Sequence, residues 1–521
     1  MIDTAALREK VLDLAIRGKL VPQDPTDEPA SVLLERIHEQ KLQMVREGKL
    51  KAKDVKDDTI IFKGDDNCYY EKFSDGTIKN IQDEIPFDLP NGWSWSRISS
   101  IGTTNIGLTY KPTDIADEGT IVLRSSNIRN GKIDLTDLVR VKTIIRENQF
   151  VEQNDIVICA RNGSKALVGK CAIFNLAMSE SVSFGAFMAI LRTAFYDYVY
   201  YFLNTQLFRN ILNSDDSKQI NQLTQDMLKN TLIPFPPQNE QRKIVTALNE
   251  IMHQISSIDN NANAVEHTKE VLKSRILELA IQGKLVPQDE NDEPAGVLLE
   301  RIRAERKAKL GKKYVESYIY KGDDNCYYEK VGSTVKNITD QIPFSIPQNW
   351  SFVRLKELAK VVSGVSYDKR DICNDGIRII RGGNISNLSI VLLPDDVFLP
   401  QKYYDNEKEV KTEDIVIVAS TGSKIAIGRP AFADKSFPQT QIGAFLRIVR
   451  PYVPNVYQYL KCLFASNYYR EHISDLVHGN TINNIKTEYL DEFIIPFPPI
   501  REQKEIANKV KILMDILKGG D

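Results

Sequence analysis

At 521 residues the chain is too long for one domain and has material for several cores. Charged residues make up 26% and aromatics 8%, ordinary globular values. The net charge of −2 gives nucleic-acid binding no support, although a basic face could be balanced by acidic surface elsewhere. No run of 18 apolar residues and no signal-peptide pattern is present, so a membrane span is excluded and a cytoplasmic protein is expected.

In chain order, residues 1–17 read as a helix with Leu7, Val11 and Leu14 on its apolar face, stopped at Gly18. The loop 19–27 carries Pro22 and Pro25, and a second helix is expected over 28–47. The charged run KLKAKDVKDD at 49–58 reads as a solvated, mobile linker. KGDDNCYYEK at 63–72 recurs unchanged at 321–330, which implies an equivalent packing or docking role. Its Asp pairs lack the further ligands of a calcium loop, and no metal is expected.

A first globular module runs over 85–237. It opens with IPFDLPNGWSW and continues with short apolar runs at 120–123 and 156–160 that have strand texture. A helical pattern near 197–213 follows, and the module closes with Pro-Phe-Pro-Pro at 234–237. Beyond it, Ile244, Leu248, Ile251, Ile255, Ile258, Ala262, Val265, Leu272, Ile276 and Leu279 alternate steps of four and three, interrupted only at Lys269. That is the seam of a coiled coil, roughly 54 Å long at about 1.5 Å per residue. Two core helices broken at Asp259-Asn260-Asn261 are the alternative, but the register persists across the Asn pair. A second module over 342–499 opens with IPFSIPQNWSF, repeats the strand texture at 377–380 and 415–419, and has a helical pattern near 455–470.

The two ends of the chain complete the central helix. Pro-Phe-Pro-Pro recurs at 496–499, and Ile506, Val510, Leu513 and Leu517 repeat Ile244, Leu248, Ile251 and Ile255. AIRGKLVPQDPTDEPASVLLERI at 15–37 recurs as AIQGKLVPQDENDEPAGVLLERI at 280–302. The C-terminus therefore copies the first half of the central helix and the N-terminus the second half. The expected fold is α+β: two β-rich globular domains separated by a long antiparallel coiled coil, related by a cyclic pseudo-twofold repeat. The expected divisions are 1–50 and 238–310 as helical scaffold, 51–84 and 311–341 as linker and repeat segments, 85–237 and 342–499 as modules, and 500–521 as a C-terminal half-helix.

Scaffold segments are nearly identical between halves, whereas the modules share only a skeleton. It comprises Gly107-x-x-Tyr110 with Gly364-x-x-Tyr367, Asn127-Ile128 with Asn384-Ile385, Gly163-Ser164-Lys165 with Gly422-Ser423-Lys424, and Gly185-Ala186-Phe187 with Gly443-Ala444-Phe445. Duplicated frames carrying divergent surfaces suit a protein that reads two different things at a fixed separation.

The proline exit with its Gln-rich helix start (IPFPPQNEQRKIV, IPFPPIREQKEIA), the GKLVPQDxxDEPAxxLLERI repeat and the LPxGW opening resemble the specificity subunit of type I restriction-modification systems. The resemblance covers nearly the whole chain, in the subgroup with an N-terminal scaffold extension. It departs from the commoner layout in that extension, in a short final helix, and in Gln348-Asn349 standing where the first module has Asn91-Gly92. The resemblance implies two target recognition domains, each reading half of a split double-stranded DNA sequence. It also implies helices that act as a ruler and dock two modification (methyltransferase) subunits. Restriction subunits of the full complex would translocate and cleave, and this chain would be non-catalytic and free of cofactors.

Arg suits guanine edges, Asn and Gln suit adenine, and Lys, Ser and Thr hold phosphates. The candidate contacts in the first module are therefore Tyr110, Lys111, Arg124, Ser125, Asn127, Arg129, Asn130, Lys132, Arg161, Asn162, Ser164, Lys165, Lys218, Gln219 and Asn221. In the second they are Lys369, Arg370, Arg381, Asn384, Asn387, Thr421, Ser423, Lys424, Asn480, Thr481 and Asn483. Many of these types also serve turns. With the modules about 50 Å apart by the helix estimate, half-sites about one turn or slightly more apart, a turn being about 34 Å, are expected.

Catalytic signatures are missing. Gly163 to Lys170 has five residues between its glycines and no Ser or Thr after the Lys, so it is not a phosphate loop. His38, His253, His267, His472 and His478 lack zinc spacing, and no Cys-x-x-Cys occurs among the six cysteines, which are expected to be reduced. A coiled-coil adaptor that never touches DNA is the competing reading.

Overall fold

The computed structural model describes residues 2–52, 55–213, 222–452, 454–479 and 484–519. They form two compact units, Met1–Ala262 and Asn263–Asp521. Each unit holds one module with its share of scaffold.

Each module is tied at a neck. In the first unit the opening strand Ser94–Arg97 pairs antiparallel with the closing strand Leu232–Phe235, setting Trp95 opposite Pro234. In the second unit Ser351–Arg354 pairs in the same way with Ile494–Phe497. Proline donates no backbone hydrogen bond, and a two-stranded ribbon is one of the few places in a sheet that tolerates it. Beyond the neck lie a four-stranded sheet and a three-stranded sheet. In the first unit the order of the larger is Cys171–Ile173, Ile156–Cys159, Met188–Arg192, Thr103–Ile106. The smaller sets Ile115–Leu123 between Val182–Phe184, which runs parallel to it, and Val139–Val141. The second unit repeats both sheets, with Ile377–Ile380 and Thr440–Ile442 as its parallel pair.

The expected helical patterns each divide in two, into Tyr196–Leu203 and Gln206–Asn213, and into Tyr457–Ala465 and Asn467–Gly479. The cause is a buried hydroxyl at the joint. Thr205 Oγ1 donates to Phe202 O at 2.7 Å and accepts from Phe208 N at 3.3 Å, which caps the following helix. Ser466 does the same between Leu463 O and Tyr469 N.

The central helix is continuous over Gln238–Ile281, so the broken alternative falls. Asp259 is engaged sideways, accepting from Thr4 Oγ1 at 2.5 Å and pairing with Arg8 at 2.8 Å. Helix Thr4–Ile16 thus starts beside Asp259 and ends in the cluster that contains Leu248 and Ile244, so the two run antiparallel. In the second unit helix Ile500–Lys518 shares its cluster with the end of the central helix through Ile506, Val510, Leu277, Ala280 and Ile281.

The seam differs from expectation in two ways. Val11, Leu12, Ala15 and Ile16 are buried while Leu7 is exposed, a broader stripe displaced from Leu7, Val11 and Leu14. This helix fills a corner between another helix and the module, and a corner needs a wider apolar face than a two-helix seam. In the middle of the central helix Ile258, Val265 and Leu272 are exposed, Val265 by 54%.

The charged run at 49–58 is not simply a solvated linker. Val55 and Asp58 are buried, and Lys41 Nζ donates to Asp58 Oδ1 at 2.5 Å and to Ser99 O at 2.7 Å. Burial pushes the Asp58 carboxyl above its ordinary value, opposed by Lys41 and His38. The recurring decapeptide is the hairpin between Thr59–Lys63 and Tyr69–Phe73, with Ile78–Asn80 as a third strand. Its counterpart is Ser317–Lys321, Tyr327–Val331 and Thr334–Asn337. Asn67 and Asn325 take positive φ at the turns, 63° and 62°. Asp66 accepts from Tyr70 Oη at 2.8 Å and Cys68 N at 3.0 Å, and Asp324 accepts from Tyr328 and Cys326 in the same way. The second Asp of each pair is therefore a turn residue.

Candidate nucleic-acid interface

Most of the recurring motif residues prove to be the joint between scaffold and module. Trp93 Nε1 donates to Glu240 Oε2 at 2.9 Å, and Trp350 Nε1 to Glu502 Oε2 at 2.8 Å. Gln241 and Gln503 reach back to the carbonyls of Pro236 and Pro498, each at 2.8 Å. The backbone of the Trp loop receives the next helix: Ala30 N donates to Gly92 O and Ala295 N to Asn349 O. Arg97 lies under the hairpin, binding Glu71 through Nε (3.0 Å) and Nη2 (2.8 Å), Glu84 (2.7 Å) and Asn230 O (2.6 Å). Arg354 repeats this with Glu329, Gln341 and Glu492 O.

The polar clusters lie at the other end of the strands. The segment after Ile156–Cys159 meets the segment that opens at Gln222: Arg161 forms a bridge with Gln222, and Leu223 N donates to Ala160 O at 2.7 Å. Asn162 Nδ2 donates to Ser125 Oγ at 3.2 Å and ties this segment to the 124–132 loop. In the second unit Ser420 bridges Asn484, Ile485 N donates to Ala419 O, and Arg429 Nη2 donates to Gly382 O at 3.0 Å. Sequence-distant clusters are thus gathered at one end of each module.

Within them the expected residues take different roles. Asn127 and Asn384 are fully buried and are corrected: neither offers an edge to a ligand. Asn127 Oδ1 accepts from Arg124 N, while Nδ2 donates to Asp134 O and Asp137 O. Asn384 accepts from Arg381 N and donates to Val391 O and Asp396 Oδ1. Each shapes its loop from inside. Asn130 and Asn387 are exposed with φ of 50° and 46°, at the turns of the hairpins Ile128–Arg129 to Lys132–Ile133 and Ile385–Ser386 to Ser389–Ile390.

Arg129, Lys132, Arg161, Ser164, Lys165, Lys111, Lys369, Arg370, Arg381 and Ser423 are exposed. Ser125, Asn162, Tyr110 and Thr421 are half-buried. Several arginines are held by neighbouring carboxylates: Arg124 by Asp137 at 2.8 Å, Arg129 by Asp134 at 3.1 Å, Arg370 by Asp368 at 2.7 Å and Arg381 by Asp395 at 3.6 Å. Arg370 draws the Asp368 carboxyl below its ordinary value. Such exposed pairs are weak, so an incoming phosphate can exchange with the carboxylate. Lys218, Gln219, Asn221, Asn480, Thr481 and Asn483, and the side chain of Lys424, lie outside the described residues. Sequence reading passed over the side chains of Phe187 and Phe445 as contacts, although both stood in the shared Gly-Ala-Phe motif. They are exposed beside these loops.

A family model described as type I restriction modification DNA specificity domain matches residues 90–267 and again 347–519, more than half of the chain. The chain belongs to the specificity subunits of type I restriction-modification systems. As such it is the DNA-reading, non-catalytic member of its complex. Among curated relatives, the EcoAI specificity subunit of Escherichia coli is 27% identical over 577 aligned residues, spanning 98% of this chain and 88% of that one. The EcoKI specificity subunit of Escherichia coli K12 is 32% identical over 226, spanning 42% and 48%. A solved structure from work on complex assembly and conformational transition of the type I R-M system aligns at 16% identity with a TM-score of 0.52, covering 83% of this chain and 93% of that one. It shares the fold. No group of His, Cys, Asp or Glu among the described residues is placed to hold a metal ion, and none of the described helices is long and apolar enough to cross a membrane.

Proposed function

We propose that this specificity subunit reads a bipartite double-stranded DNA target, with module 85–237 on one half-site and module 342–499 on the other. The observation that supports this is the contrast within each unit: the strand pairing of the neck and the Trp93-Glu240 and Arg97-Glu71 bonds recur as Trp350-Glu502 and Arg354-Glu329, while the loops at the far end carry different side chains on one frame. The proposed contacts are Arg129, Lys132, Arg161, Asn162, Ser164 and Lys165 in the first module, and Arg370, Arg381, Thr421 and Ser423 in the second. Arg and Asn are assigned to base edges, and Lys, Ser and Thr to phosphates.

Two modification subunits dock along the scaffold helices in this reading, and restriction subunits join the full complex. Ile258, Val265, Val271 and Leu272 on the central helix, with Ile512 and Ile516 on the last helix, are apolar and exposed, as a surface awaiting partner helices would be.

The test is selection of bound sequences from randomised duplexes, using the chain co-expressed with its modification subunits at two salt concentrations. Two short half-sites with a constant gap are expected, with affinity falling steeply as salt rises. Replacing 85–237 by the module of another specificity subunit should change one half-site alone. A folded complex that enriches no sequence would return the adaptor reading.

A further inference from the structure

Among the described residues, each module presents a phenylalanine ring that is mostly exposed. Phe187 is 59% exposed and Phe445 64%, although Phe184, Met188, Ile442 and Leu446 around them are buried. A single exposed apolar side chain is unremarkable by itself. Here the same ring stands at the same place in two modules whose polar loops have diverged.

The backbone beneath each ring is fixed. Gly185 N donates to Leu123 O at 2.9 Å, and Met188 N closes the turn onto Gly185 O at 2.8 Å. Phe187 O accepts from both Ala160 N and Arg161 N, at 2.9 and 3.0 Å. In the second module Gly443 N donates to Ile380 O, Leu446 N to Gly443 O, and Phe445 O accepts from Ala419 N and Ser420 N. The preceding strand end presses directly on the turn: a Cβ on Gly107 would lie 2.2 Å from Gly185 O, and one on Gly364 would lie 2.1 Å from Gly443 O. The rings are therefore presented by a rigid turn at the junction of the candidate contact loops. Arg161 lies over the Phe187 ring at 5.4 Å, whereas the equivalent position beside Phe445 is Ser420.

We propose that Phe187 and Phe445 are sequence-independent apolar contacts of the two modules with duplex DNA, each ring packing against a partly unstacked base step in its half-site. The inference rests on the recognition function proposed above. A ring kept in both modules while its polar neighbours change has a role common to both half-sites. Every base offers a π-face, so stacking meets that condition, whereas reading a base edge does not. A rigid turn also loses little conformational freedom when the ring docks.

The experiment uses the chain co-expressed with its modification subunits and the duplex recovered by selection, with 2-aminopurine placed in turn at each step of both half-sites. Wild type is expected to raise 2-aminopurine emission at one step per half-site. Phe187→Ala should lose that signal in the first half-site only and Phe445→Ala in the second only. Each should bind roughly 5- to 150-fold more weakly, the range for removing a base–aromatic stack, with base preferences unchanged. Phe187→Leu and Phe445→Leu, which keep an apolar side chain, should fall between and guard against misfolding. Variants that melt like wild type and match its affinity and emission overturn the inference alone. So does a variant that changes the preferred base at one position, which would mean edge reading. Wild type that selects no sequence overturns the recognition function and this inference together.

Discussion

The two ends of each module obey different constraints. At the neck, Trp93 and Trp350, Glu240 and Glu502, and Arg97 and Arg354 make matching bonds in the two units, and all six are buried. At the far end the frame repeats, as in the hydrogen bonds of Asn127 and Asn384, but the side chains on it differ, with the exposed Arg161 in one unit and the half-buried Ser420 in the other. A buried polar group must keep its partners or bear the full cost of losing water, while an exposed one loses little on replacement. The duplication therefore keeps its buried bonded polar residues, even though neighbouring neck positions have changed from Trp95 and Ser96 to Phe352 and Val353, and it diverges freely where it touches solvent.

The strongest way to break this contrast is at the neck. Arg97→Ala leaves Glu71 buried without its cation, and Arg354→Ala removes the close partner of Glu329, leaving Lys356 3.9 Å away. Each should cost about 3–5 kcal/mol. Hydrogen exchange should show protection lost in the altered unit, and an effect spread equally over both units would refute the local account. Next come Asn127→Ala and Asn384→Ala, expected to cost about 1–3 kcal/mol each through carbonyl and amide groups left unpaired. Denaturant unfolding measures the loss, and DNA binding by the matching half-site should fail through loop collapse.

A smaller effect separates the joint's geometry from its charge. Burial pushes the carboxyls of Glu240 and Glu502 above their ordinary value, against the opposing hydrogen bonds from Trp93 and Trp350. A carboxyl whose folded pKa is raised destabilises the fold at pH above that pKa and is relieved as pH falls through it towards the unfolded value. Glu240→Gln keeps an acceptor for Trp93 and removes the ionisation. Its thermal stability at neutral pH should equal or exceed wild type, and the gain wild type shows on acidification from above this raised pKa towards pH 4.5 should shrink. A loss of stability at neutral pH would show that the charge itself is needed. The smallest expected effect is at the loops, where Lys132→Ala or Lys165→Ala should leave unfolding within about 0.5 kcal/mol of wild type. Each should lower the salt slope of DNA binding by about one if it contacts a phosphate.

Much of this was legible because a repeat compares a sequence with itself. The offset copies located the repeated strands and the helices near both ends of the chain, since burial and turn geometry restrict which residues can stand at those positions. The repeat gave misleading guidance where one residue type serves two purposes. Asn127-Ile128 and Asn384-Ile385 recur because the Asn is an internal brace, yet Asn is also the residue expected on adenine. Charge misled at 49–58, where Asp58 is buried because Lys41, on the preceding helix, folds back to supply its partner.

Sequence alone carried the duplication, the order of strands and helices, the long central helix and the family resemblance, because periodicity and repeated motifs are properties of the chain. Which polar residues brace a loop and which face outward was settled only in the folded chain. There the Trp, Glu and Gln motifs also form one joint, and Phe187 and Phe445 stand on rigid turns beside the candidate contacts. Those outcomes depend on hydrogen bonds and burial between segments far apart in the chain, and no local pattern encodes them.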